Sequence, residues 1–207
     1  MLADKETFRN KKLPREFYTR SLIVVAKNLL GKILVKKSGS KILAGRIVEV
    51  EAYHGDYDQA SHSFIGRTKR NEVMFYEGGY LYVYFTYGAH FCANVVAGRE
   101  GKGLAVLIRA VEPVGGIELM AKNRFGKKEL NEKEKINLTN GPGKFCQAFS
   151  INKAHNGTDL TGDKIFILDQ PRIESRKIGV SKRIGITKSV DLPWRFFIKE
   201  NPYVSKK

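Results

Sequence analysis

Between residues 79 and 97 the chain can do little other than fold back on itself as two strands. Tyr80, Tyr82, Tyr84 and Thr86 alternate with Leu81, Val83 and Phe85; Tyr87-Gly88-Ala89-His90 supplies a tight connection, and residues 91–97 (FCANVVA) run back. Alternation with a period of two sends successive side chains to opposite faces of an extended chain. The segment therefore reads as a hairpin with an aromatic face and an apolar one, which commits its surroundings to an antiparallel sheet.

Residues 41–53 (KILAGRIVEVEAY) carry the same signature. If they are extended, Glu49, Glu51 and Tyr53 share one face while Val48, Val50 and Ala52 take the other. A shorter strand over residues 32–37 precedes them across Ser38-Gly39-Ser40, and residues 104–111 (LAVLIRAV) are apolar except for Arg109, which predicts burial on both faces. Helical spacing is clearest at Leu22, Val25, Ala26, Leu29 and Leu30, with Thr19 or Ser21 as cap and Gly31 as stop. Further helices are expected over residues 117–124 and from Pro142, a good first helical residue. Residues 122–135 read as a charged, mobile stretch, 54–71 as loop, 192–198 as a late strand, and 1–13 as a loose arm ending at Pro14. With neither repeat nor linker, residues 1–207 read as one domain of the α+β class.

Charge narrows the partners. The 37 Lys and Arg against 21 Asp and Glu give a net charge of +16, while 42% hydrophobic and 11% aromatic content argues against a disordered chain. The sequence shows no apolar run long enough to span a bilayer, no secretory leader and no basic amphipathic stripe, so the expectation is a cytoplasmic protein with no membrane partner. Nucleic acid is the anionic partner that fits best. Cys92 and Cys146 form no CxxC pair and are read as buried thiols; His54, His62 and His90 make no metal-binding motif. The segment Gly141-Pro142-Gly143-Lys144 lacks the spacing of a nucleotide-binding loop, yet its amides and Lys144 could hold a phosphate.

A strongly basic protein that keeps two glutamates side by side on a strand needs a reason, because acidic groups repel phosphates. Either the strand edge is exposed and Glu49 pairs with Arg46 or a lysine, or one carboxylate is a general base at the floor of a cationic groove. Alternation alone does not choose between Glu49 and Glu51. Tyr87 is either packed over its turn or a wedge that enters a base step. Tyr53, Tyr82 and Tyr84 are either strand packing or a platform on which a flat ring stacks.

Taken in order, residues 46–53 (RIVEVEAY), Ala60-Ser61-His62, Arg67 with Arg70-Asn71, Met74-Phe75, 81–94 (LYVYFTYGAHFCAN), 107–113 (LIRAVEP), 140–148 (NGPGKFCQA) and Pro193-Trp194-Arg195-Phe196 resemble the 3-methyladenine (alkyladenine-type) DNA glycosylase family. Each block is weak and the ordered set is specific, spanning residues 13–202. The resemblance implies a single-domain α+β fold with a curved antiparallel sheet, flanking helices and a protruding hairpin. It also implies hydrolysis of the N-glycosidic bond of an alkylated or deaminated purine (3-methyladenine, hypoxanthine or ethenoadenine) in double-stranded DNA, by a monomer, with no metal or cofactor. Glu51 matches the family's water-activating carboxylate; Tyr53, His62, Tyr84 and Asn94 match the pocket for a flipped base, Tyr87 the intercalating residue and Arg109 a supporting arginine. Arg67, Arg70 and Lys144 are expected on phosphates, with help from Lys69 and the basic 172–188 segment. The alternatives are a non-catalytic protein that binds damaged DNA or RNA and a metal-dependent nuclease. Two departures stand out: Ala89 replaces a larger apolar residue common beside the wedge, and residues 186–193 follow the bacterial rather than the animal pattern.

Overall fold

The tyrosine hairpin forms one side of a curled antiparallel sheet. A computed structural model describes residues 11–86 and 88–205. The expected helix appears as α2 (Leu22–Leu29), after a single turn, α1 (Arg15–Tyr18). Strands β1 (Ile33–Ser38) and β2 (Lys41–Tyr53) follow, then β3 (Tyr80–Thr86), β4 (His90–Ala97) and β5 (Leu104–Gly115). Helices α3 (Ile117–Phe125), α4 (Glu132–Asn137) and α5 (Pro142–Ala148) intervene before β6 (Thr158–Asp159), β7 (Ile165–Leu168), β8 (Ile178–Ser181) and β9 (Arg195–Ile198). Among the described residues the strand order is β6-β3-β4-β5-β2-β1-β7, with β9 attached to β2 and β8 to β9. No helix among them is long and apolar enough to cross a membrane.

One face of the sheet holds the core. Val50, Ala52, Leu81, Val83, Val95, Val106 and Ile108 pack with Val25 and Leu29 of α2 and Phe145 and Phe149 of α5. Each large apolar side chain so buried contributes about 1.5–3 kcal/mol. The alternating positions, Glu49, Glu51, Tyr53, Tyr82, Tyr84 and Asn94, are thereby turned to the opposite face.

Strand β2 changes partners midway. Its first half pairs with β1 and residues 49–51 pair with β9, while β5 runs along the other edge. Near this change the register with β5 slips twice: Ile47 faces Val111, Glu49 faces Ala110 and Val50 faces Ile108. Bulges of this kind bend a strand and increase its twist, which curls the sheet. The second slip leaves Arg109 as the extra residue of β5, and a bulged residue is free to be re-aimed.

Several expectations need correction. Strand β5 does not stop at Val111 but continues through Pro113, which a further register shift at Ala44/Gly45 accommodates. A proline lacks the N–H for a regular ladder, so it reads as a stop unless a bulge absorbs it. The charged stretch 122–135 is not wholly irregular, because Asn131 closes a capping box with Glu134 and starts α4. The late strand begins only at Arg195. Residues 1–10 of the expected arm lie outside the described residues, but its end is fixed: the Leu13 amide donates to the Ile167 carbonyl at 2.8 Å and the side chain is 2% exposed.

Docked in this way, Leu13 belongs to the core. Leu13→Ala is expected to destabilise the protein by about 2–5 kcal/mol in urea unfolding, whereas a loose arm would give no change.

Candidate active site

The face opposite the core carries charged groups with no surface exposed to solvent. Glu49 and Glu51 are both 0% exposed. Their neighbours explain how they can be there. Arg109 Nε donates to Glu49 Oε1 at 3.0 Å, and its Nη1 lies 3.2 Å from Glu51 Oε1, so one guanidinium bridges the two carboxylates. Arg195 comes from the other side of β2, with Nε donating to Glu49 Oε1 at 2.6 Å. Ser205 closes the cluster: its amide donates to Glu49 Oε2 at 2.7 Å and its hydroxyl to Oε1 at 2.8 Å. Of the two readings, the exposed edge with Glu49 on Arg46 or a lysine is therefore excluded. Arg46 lies near Glu112 instead, and Glu49 is the anchor of a buried network.

Glu51 has a different shell. The Tyr53 hydroxyl donates to Oε2 at 2.8 Å and the Ile184 amide to Oε1, also at 2.8 Å. These two donors fill two of a carboxylate's roughly four acceptor directions, and Arg109 adds its ion pair at 3.2 Å. Burial works to lower the Arg109 pKa, but the Glu51 and Glu49 charges outweigh it and hold the guanidinium above its ordinary range. Burial and then Glu51 push the Tyr53 phenol well up, so it remains a donor at neutral pH.

A cavity of about 360 Å³ opens in front of this shell, and Tyr53, His62, Tyr84, Asn94 and Arg109 all line it. Glu51 stands directly behind Tyr53 and Arg109. The His62 and Tyr84 rings meet edge to face at 4.4 Å, and Tyr82 lies 5.4 Å from Tyr84 at a shallow angle of 31°. Burial, then Arg70, lowers the His62 pKa and keeps the imidazole neutral, with Nδ1 3.0 Å from the Tyr82 hydroxyl. Burial raises the Tyr84 phenol and pushes Tyr82 up to about 12. Asn94 is oriented by donating Nδ2 to the Tyr82 carbonyl at 3.2 Å. Cys92 is a buried free thiol in the cavity wall, and burial pushes its pKa up. No group of three His, Cys, Asp or Glu side chains placed to hold a metal ion occurs among the described residues.

The remaining wall comes from Ile184-Gly185-Ile186, a strap that turns at Gly185 with φ +75°. Arg183 holds it. Its Nη2 donates to Asp58 Oδ1 at 2.7 Å and to the Ser189 carbonyl at 3.2 Å, and Nη1 reaches the Ala52 carbonyl at 2.9 Å. The guanidinium lies 4.6 Å from the centre of the Tyr53 ring. Arg183 had been counted with the phosphate-gripping 172–188 segment; it is 6% exposed and committed to Asp58.

The sequence reading missed Arg195, Ser205, Asp58 and Arg183, while Tyr82, a candidate for stacking, lines the cavity and holds Asn94 and His62. Arg195 gave the same signal as Arg109, a lone cation in an apolar strand. Arg183 was hidden among surface lysines, and Ser205 and Asp58 carried no signal. Arg67 and Arg70 are exposed on the 54–71 loop. Lys144 is half-buried, its ammonium donating to Asn137 Oδ1 at 2.9 Å and Asn140 Oδ1 at 2.8 Å. Tyr87 lies outside the described residues.

Comparison with known proteins adds an independent line. The model of a family described as methylpurine-DNA glycosylase (MPG) matches residues 16–202. Relatives named as 3-methyladenine DNA glycosylases include one from Desulfitobacterium hafniense, 49% identical over 203 residues that cover 95% of this chain and 100% of the relative. One from Clostridium novyi is 51% identical over 203 residues, with the same coverage. A third, from Carboxydothermus hydrogenoformans, is 50% identical over 196 residues, covering 94% and 99%.

Removing one member of a buried ionic network strands the others. Glu49→Gln, which leaves Arg109 and Arg195 underpaired, is expected to cost about 3–5 kcal/mol in urea unfolding. Arg46→Gln, at a partly exposed pair, is expected to cost at most about 1 kcal/mol in the same assay.

Proposed function

The chain belongs to the methylpurine-DNA glycosylase family, hydrolases of N-glycosyl bonds, and from that premise we propose that it excises alkylated or deaminated purines from double-stranded DNA with Glu51 as the general base. The observation that carries the reading is the pairing of an aromatic cavity of purine-accommodating size with a buried carboxylate directly behind its wall.

The target nucleotide leaves the duplex and its base enters the cavity, where Tyr53, Tyr84 and the neutral His62 offer stacking faces and edges. Extrusion costs a few kcal/mol, least at a damaged pair, so the pocket favours lesions already weakly held. A purine carrying a positive ring charge also gains from electron-rich tyrosine faces. Asn94, fixed by Tyr82, is placed to reject the exocyclic amine of normal guanine.

Chemistry then runs at the sugar. As the C1′–N bond breaks, its electron pair leaves with the purine and positive charge grows on the sugar. Glu51 stabilises that charge through space and accepts a proton from the water whose oxygen bonds to C1′. Arg109, Tyr53 and the Ile184 amide keep the carboxylate aimed, and an acceptor direction that neither Tyr53 nor the Ile184 amide fills serves the water. Tyr87 takes the place of the extruded nucleotide in the stack, and Arg67, Arg70 and Lys144 bind phosphates.

The test is a duplex with a single hypoxanthine, ethenoadenine or 3-methyladenine, incubated in chelator and then cleaved with alkali. Site-specific product from at least one lesion is expected, and product from none would sink the proposal. Glu51→Gln should retain DNA binding and lose at least about 10²–10⁴-fold in excision rate. A non-catalytic damaged-DNA or RNA binder would show no excision to lose. Tyr87→Ala should weaken both lesion binding and excision while leaving the melting temperature unchanged; unaltered kinetics would remove the wedge role.

A further inference from the structure

The loop that carries His62 also exposes two large apolar residues that the pocket does not use. Phe64 is 42% exposed and Ile65 is 78% exposed. They project from a turn that is firmly braced. Asn71, 2% exposed, donates Nδ2 to the carbonyls of His62 at 2.8 Å and Gly66 at 2.9 Å, and accepts the Thr68 amide at 2.6 Å. Gly66 turns the chain with φ +87°, a conformation other residues rarely adopt. Ser63 ties the start of the turn to the Gly103 carbonyl at 2.6 Å. A braced loop that presents an apolar tip bears the ordering cost of a contact before the partner arrives.

The position of the tip identifies the partner. Ile65 lines a second cavity, of about 250 Å³, with Thr68, Arg70 and Asn71. Ala60, His62 and Tyr82 line both this cavity and the proposed base pocket, so the two cavities adjoin. Arg70 Nη2 reaches the Phe85 carbonyl at 3.4 Å, which joins the loop to the hairpin strand, and Phe85 is itself 48% exposed. Arg67, Lys69 and Arg70, all exposed, ring the tip with positive charge. An apolar point inside a cationic collar complements a duplex opened at one nucleotide: cations meet the phosphates and the apolar group meets a base that has lost its stacking neighbour.

We propose that Ile65, supported by Phe64, is a second insertion element, which packs against the base step beside the extruded nucleotide while the hairpin tip works from its own side. The proposal rests on the glycosylase reading above and adds a duplex contact that the base pocket does not require.

The experiment compares binding to a duplex with a central abasic-site analogue and to the same duplex undamaged. Ile65→Ser is expected to weaken binding to the damaged duplex by about ten-fold, leaving undamaged binding and the melting temperature unchanged. Ile65→Leu should keep the preference, and Arg67→Gln should weaken both duplexes alike. With 2-aminopurine next to the analogue, the fluorescence rise on binding wild-type protein should be lost for Ile65→Ser. Equal loss on both duplexes, no loss on either, or a change in sedimentation of the free protein, which would mark a contact between copies, overturns the proposal. Failure of the wild type to prefer the damaged duplex would overturn it together with the glycosylase reading. Excision of a lesion by wild type alongside an unaltered Ile65→Ser variant would remove the insertion role alone.

Discussion

Everything at the site depends on Arg109 reaching two carboxylates at once. Two ionised glutamates with no exposure are an arrangement that an isolated strand could not sustain, since each bare charge in the interior costs several kcal/mol. Arg109 makes the pair tolerable by bridging them, and Arg195 and Ser205 complete the shell of Glu49. Glu49 thereby becomes a fixed counterweight. It holds Arg109 in place from one side, so that Arg109 can hold Glu51 from the other.

The backbone makes this possible through irregularity. In an unbroken ladder Arg109 would lie directly across from a residue of β2, but the register passes from Glu49/Ala110 to Val50/Ile108 and leaves it unmatched. The same stretch of β2 exchanges β1 for β9, which brings Arg195 opposite Glu51. Beyond it, the strap at residues 184–186 delivers an amide to the same carboxylate, and the Arg183 pair with Asp58 fixes both that strap and the Tyr53 ring. Three distant segments converge because the sheet is bent there.

Period-two patterning made β2, β3 and β4 legible, since one face of each is apolar and buried while the other is not. It put Glu49, Glu51 and Tyr53 on one side of β2 and the tyrosines on one side of β3, and the sheet joins these into a single face. It could not distinguish the two glutamates, because they differ in which one contacts the cavity-lining Tyr53 and which one meets arginines from both sides. That is a property of strand neighbours far away in the sequence. For the same reason Arg195, Asp58 and Arg183 escaped notice: a buried arginine is distinguished from a solvated one by its partner, and none of these partners is local. The course of β5 past Pro113 was misread because a proline normally ends a ladder, and only the bulge opposite it shows otherwise.

The resulting charge arrangement answers the difficulty that a basic DNA-directed protein should not display acidic groups. Glu49, Glu51, Arg109 and Arg195 carry two negative and two positive charges, so at the distance of a phosphate the cluster is close to neutral. Exposed cations such as Arg67, Lys69 and Arg70 then set the field that an approaching duplex meets, over a range of about 8–10 Å in physiological salt. Within contact distance the balance is different. Arg109 and Tyr53 line the cavity, and the Glu51 carboxylate that both contact lies behind them. If Glu51 acts as proposed, a sugar held against that wall meets negative charge that the rest of the DNA does not, and the same molecule attracts a polyanion while stabilising a cation.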